Sequence, residues 1–177
     1  MHSLGNYREA LEKSRSLPLN QVLLESCSDC RMYLTPIPKS QRGGLSAITI
    51  RARHVREAFS HCYCKEKPTG WVISRDDFFH SRFSHSSAVV TKSGPPSSSL
   101  PCNYIRPAGL YTSIHIKGAY FHHGQDSLER MQDFMDKNNL VPDGDVFLFP
   151  IISYWVTNNP EEYINSLSVK VVPAGSK

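Results

Sequence analysis

The sequence predicts an α+β fold made of two pseudo-symmetric β-α-β-β halves, with antiparallel sheets and a ligand cleft between them. Three observations carry this. The order strand, helix, strand, strand occurs twice; a Ser/Pro-rich stretch separates the two copies; and aromatic residues crowd the second copy. The repeat is one of element order, not of letters. It divides the chain into an N-terminal helix and connector (1–24) and a domain (25–177), whose halves span 25–92 and 101–174 around a linker at 93–100.

Leu4, Tyr7 and Leu11 recur at helical spacing, and Leu17-Pro18 would interrupt that helix. An apolar run at Cys30 to Ile37 is the first strand. A helix follows, with Ile48, Ala52, Val55, Phe59 and Cys62 as its expected core stripe and Arg51, Arg53, His54 and Arg56 on a solvated face. Lys67-Pro68-Thr69-Gly70 breaks it, and strands are expected at Gly70–Ser74 and Ser87–Thr91. Gly94-Pro95-Pro96-Ser97-Ser98-Ser99 is the least structured stretch.

In the second copy, Gly109–Tyr120 leads into a helix expected to open at Asp126, with Glu129 completing a capping box. Leu128, Met131, Phe134 and Met135 are its buried face. Asn138-Asn139 ends the helix, and Val141-Pro142-Asp143-Gly144 is expected to turn the chain. Val146–Val156 and Tyr163–Val172 close the fold as strands joined by a polar loop.

Composition narrows the function classes. With 40% hydrophobic and 20% charged residues, 177 residues suffice for one soluble domain or two small halves sharing a core. No apolar run approaches the roughly 18 residues that a membrane helix needs, and the N-terminus lacks a signal-peptide profile, so a cytoplasmic location is expected. A formal net charge of +4 is too small to argue for nucleic-acid contact. Cys27, Cys30, Cys62 and Cys64, with His61 beside the second pair, are a weak candidate for a zinc site. The expectation is reduced thiols and no cofactor, because Cys62 and Cys64 would leave a helix on different sides.

The stretch Arg106-Pro107-Ala108-Gly109-Leu110-Tyr111, followed by Lys117-Gly118-Ala119-Tyr120, resembles the GyrI-like effector-binding family. Asn138-Asn139-Leu140, Asp145-Val146-Phe147 and Asn159-Pro160-Glu161-Glu162-Tyr163-Ile164 continue the likeness, which covers residues 104–172 and is thin before them. The family's domains stand at the C-terminus of many MerR-type and AraC-type bacterial transcription regulators. The resemblance implies a multidrug-type sensor that holds a small, often aromatic or cationic molecule in an aromatic cleft, where ring faces stack on flat bodies and attract cations. Drug-sensing members add a pocket glutamate. The positions that would carry it are Leu148 and Ser166, so a neutral or anionic aromatic ligand meeting His115 or Ser166 is expected instead.

The residues expected to contact ligand are Trp71, Tyr111, His115, Phe147, Phe149, Tyr154 and Ser166. About two dozen residues precede the first strand, fewer than a three-helix DNA reader requires. A stand-alone sensor and the C-terminal part of a regulator both fit, and a homodimer through the N-terminal helix is the self-association that Leu4, Tyr7 and Leu11 would support. The expected protein is not an enzyme. The histidines are accompanied by no nucleophile elbow, paired carboxylates or H-E-x-x-H motif. The alternatives are a protein-interaction module such as a gyrase or toxin antagonist, and a small hydrolase of the same fold.

Overall fold

A computed structural model describes residues 12, 14, 16–42, 44–60, 69–94, 101–153 and 156–175. The Leu4, Tyr7 and Leu11 stripe, the Cys62 and Cys64 pair with His61, linker residues 95–100 and Tyr154 lie outside them.

The strands are β1 (Val22–Cys27), β2 (Cys30–Pro36), β3 (Thr69–Ile73), β4 (Ser86–Lys92), β5 (Tyr104–Arg106), β6 (Gly109–Lys117), β7 (Leu140–Ile152) and β8 (Ile164–Pro173). Helix α1 spans Gly44–Phe59, α2 Arg75–Phe79 and α3 Tyr120–Lys137. The two halves are therefore β2-α1-β3-β4 and β6-α3-β7-β8, the repeated order that the sequence shows.

The antiparallel sheets expected of the two halves merge into one. All eight strands join one sheet in the order β1-β6-β8-β7-β3-β4-β2-β5, every neighbouring pair antiparallel. The halves meet along β3 and β7, where Trp71 faces Leu148 and Val72 faces Phe147. Strands β1 and β2 have five strands between them in this order yet are joined by Ser28-Asp29 alone. Three Cα steps span at most about 11 Å, so the sheet curls into a half-barrel that brings its two ends together. The Asp29 carboxylate fastens that seam by accepting from the Ala108 N–H at 2.6 Å.

Both long helices cover one face. Leu128, Met131 and Met135 of α3 pack on Ile114, Ile116, Val146, Leu148, Leu167, Val169 and Val171. Ala47 and Ile50 of α1 pack on Ile37 and Val89. The buried side of α1 is thus Ala47, Ile50, His54 and Ala58, one residue out of step with the expected stripe, and Ile48 is 59% exposed. The reason is His54, fully buried where an apolar count places it in water. Its Nδ1 lies 2.8 Å from Thr35 Oγ1 and its Nε2 2.9 Å from Thr91 Oγ1, which in turn meets Thr69 Oγ1 at 3.0 Å. Both ring nitrogens are satisfied, so burial carries no orphan penalty.

Helix α3 opens at Tyr120, not Asp126. The chain leaves β6 through Gly118, which holds φ +98°, and the helix runs on through Gly124. A glycine weakens a helix, but here a side chain would come within 2.7 Å of the Phe83 ring, so close packing of that ring needs it. Asp126 caps nothing; it pairs one turn on with Arg130 at 2.9 Å. Pro142-Asp143-Gly144 is likewise no separate turn. It forms a bulge inside β7, where the register with β8 shifts between Pro142 and Val146.

Candidate functional site

Side chains alternate across a strand, so each register pair shares a face. The pairs Tyr111–Lys170, Ser113–Ser168, His115–Ser166, Phe147–Ser168, Phe149–Ser166, Val72–Phe147 and Cys30–Arg106 all fall on the face that the helices leave uncovered. Within it Met32, Val72, Ala88, Val90, Phe147 and Phe149 form an apolar cluster of their own. The centroid of Tyr104 stands 6.3 Å from that of Phe147. Tyr104, Tyr111, Phe147 and Phe149 thus gather four rings on the helix-free side of the curled sheet, Tyr104 exposed and the other three buried.

Five of the sequence-predicted contacts come together on this face: Tyr111, His115, Phe147, Phe149 and Ser166. Trp71 does not. It pairs with Leu148 and Val89, both under the helices, and the Arg51 guanidinium lies 5.5 Å from its ring. Its neighbours in sequence, Gly70 and Val72, take the helix-free face instead. Leu148 is on the covered face too, so a carboxylate there would point into the core beneath α3.

Two cations that the sequence reading passed over sit on the rings. The Arg106 guanidinium is 4.5 Å from the Tyr111 ring and 5.9 Å from that of Phe147. The Lys92 ammonium is 4.9 Å from the Phe149 ring. Desolvation lowers the Lys92 pKa, with Cys30 and Cys27 opposing and Arg106 adding to the fall. Burial pushes Tyr111 up to about 12 against the pull of Arg106, so its hydroxyl stays a donor, held on Pro107 O at 2.8 Å. The signal in the sequence was parity. Arg106 opens the stretch that runs to Tyr111, but its face depends on a β2–β5 pairing that no local pattern announces.

One acid, Glu25 of β1, stands opposite Tyr111 and accepts from the Ser113 hydroxyl at 2.7 Å. His115 carries a lowered pKa, chiefly from burial with Glu25 opposing, and its Nδ1 is buried without a hydrogen-bond partner. Cys27, Cys30 and Cys102 are free thiols. Among the described residues no group of three or more His, Cys, Asp or Glu is placed to hold a metal, and no helix is long and apolar enough to cross a membrane.

A second depression of about 460 Å³ lies elsewhere, lined by Lys39, Arg42, Ser74, Asp76, Asp77, Arg82 and His85. Its charges largely satisfy one another. Asp77 accepts from Arg42 at 2.9 Å, Arg82 at 2.6 Å and Ser74 at 2.6 Å. Burial opposes its ionisation, but these donors prevail and its pKa falls below the ordinary carboxylate value.

No protein-family model and no curated protein matches the sequence. Solved structures do match the fold. The C-terminal domain of EcmrR aligns at TM-score 0.62 and 11% identity, over 87% of this chain and 98% of that one. A hydrolase from Listeria innocua aligns at TM-score 0.63 and 14% identity, over 93% and 98%. EcmrR in its complex with DNA aligns at TM-score 0.56 and 11% identity, over 97% of this chain and 64% of that one. At such identities the likeness speaks for fold alone. The chain has the fold of the EcmrR C-terminal domain, in keeping with the GyrI-like resemblance.

Proposed function

We propose that this chain binds a small organic molecule with a flat aromatic body on the helix-free face of the sheet, without chemical turnover, as the sensing part of a bacterial transcription regulator or a stand-alone relative of one. The observation that carries the proposal is the convergence of Tyr104, Tyr111, Phe147 and Phe149, from three strands, on the helix-free side of the curled sheet, with Tyr104 exposed and the other three rings buried. Rigid rings offer large contact area at little entropic cost and favour offset stacking with an aromatic guest. The EcmrR domain and the Listeria hydrolase share the scaffold, and a shared scaffold hosts different functions. The hydrolase reading therefore has no support from the fold alone.

A thermal-shift screen tests the proposal. Neutral, anionic and cationic aromatic compounds are expected to include at least one class that raises the melting temperature with dose, as any ligand specific for the native state must. Absence of a response to every class would count against it. A Phe147→Leu variant sharpens the test. Loss of the ring but not of most of the volume is expected to cost about 1 kcal/mol in folding stability, read by urea denaturation. Affinity for the aromatic ligand is expected to fall about tenfold. A stability loss with unchanged affinity would make Phe147 a core residue only.

A further inference from the structure

We infer that the ligand of this face is an anion: a flat apolar body bearing a carboxylate or comparable acid, with its charged end held between Arg106 and Lys92. The inference rests on the proposed function, since it names the class of molecule that the same face takes.

Three features point to an anion. First, Arg106 makes no hydrogen bond and no ion pair among the described residues, and its Nε is buried without a partner. A guanidinium offers five donors in a planar fork that fits a carboxylate; among the described residues, ring faces are what it meets. Second, Lys92 also lacks a carboxylate within ion-pair reach among the described residues, and the Arg106 charge acts on it. Arg106, half-buried, and Lys92, exposed, repel each other over one apolar floor, and an anion between them relieves both.

Third, none of the described acids near this face pairs with Arg106 or Lys92; each is held by another partner, although the charges of Asp145 and Asp29 act on Tyr104 and Tyr111. Glu25 accepts from Ser113, Asp29 from Ala108, Asp145 from the Arg75 N–H at 3.0 Å, and Asp143 pairs with Lys170 at 3.3 Å. A cationic guest would also find the ring faces taken, because Arg106 and Lys92 already occupy the positions where its charge would stack. The two cations over these rings thereby disfavour an organic cation there.

Isothermal titration of the purified chain with three probes of one shape tests this: 2-naphthoate, 2-naphthylmethanol and 2-naphthylmethylammonium. The naphthoate is expected to bind about tenfold tighter than the alcohol, with the ammonium weakest, and added salt should narrow the gap. Arg106→Gln and Lys92→Gln are each expected to weaken naphthoate about tenfold and the alcohol far less. Lys92→Gln keeps the test decisive should Arg106→Gln fail to fold. Equal affinity for acid and alcohol, or preference for the ammonium, overturns the anionic class while leaving an aromatic site. Binding of none of the three overturns that site and the inference together.

Discussion

Replacing Gly70 by alanine is expected to remove on the order of 3 kcal/mol of folding stability, at the upper end for overpacking a core, and to abolish ligand binding. Gly70 lies in β3 on the helix-free face, opposite Val90. A Cβ there would collide with the Leu148 carbonyl oxygen and stand 2.7 and 2.9 Å from two carbons of the Phe149 ring. A carbonyl in the central β3–β7 ladder cannot withdraw without breaking the joint between the halves. The Phe149 ring therefore sits against Gly70 only because no side chain rises there. Urea denaturation should show the midpoint falling, with the denaturant dependence unchanged. Near wild-type stability would mean that Phe149 moves freely and does not form a fixed floor.

Acidification is expected to destabilise the fold in a window set by His54. Its pKa is lowered from the ordinary 6.5 to about 4, first by burial and then by Arg51, with Glu57 opposing. The neutral ring is therefore the folded form, and the unfolded chain binds more protons between those two values. Stability is fully present above about pH 6.5, declines as pH falls, and levels off below about pH 4, a total loss of about 3 kcal/mol. The Asp77 contribution is separate. Its folded pKa lies below the ordinary 3.8, so its share is lost only at still lower pH. His54→Gln, which keeps hydrogen-bonding capacity near Thr35 and Thr91, should flatten the dependence between about pH 6.5 and 4 while costing about 1–3 kcal/mol at neutral pH. An unchanged pH profile in that variant would assign the acid response to other groups.

The repeated element order was legible because strand and helix periods differ and because Gly and Pro punctuate the joints. Phe147 and Phe149 were readable as a pair, since alternation forces them to one face. Trp71 was not. A ring is equally at home in a core or a cleft, and only its pairing with Leu148 places it under the helices. His54 escaped because a count of apolar letters cannot see three threonine hydroxyl groups waiting across the sheet. The start of α3 was hidden by Gly124, whose tertiary contact with Phe83 outweighs its poor helix propensity. Arg106 and Lys92 escaped for a related reason. Their positions over Tyr111, Phe147 and Phe149 depend on strands brought together from both halves.

The central claim is that ligand is held on the helix-free face. The most direct test is an amide chemical-shift map of the isotope-labelled chain titrated with the 2-naphthoate, 2-naphthylmethanol and 2-naphthylmethylammonium probes. The account predicts that at least one probe gives saturable shifts centred on Met32, Val90, Arg106, Tyr111, Phe147 and Phe149, with the residues around Trp71 and α3 little moved. Shifts centred on Lys39, Arg42, Asp77 and Arg82, or no saturable shifts with any probe, would contradict it.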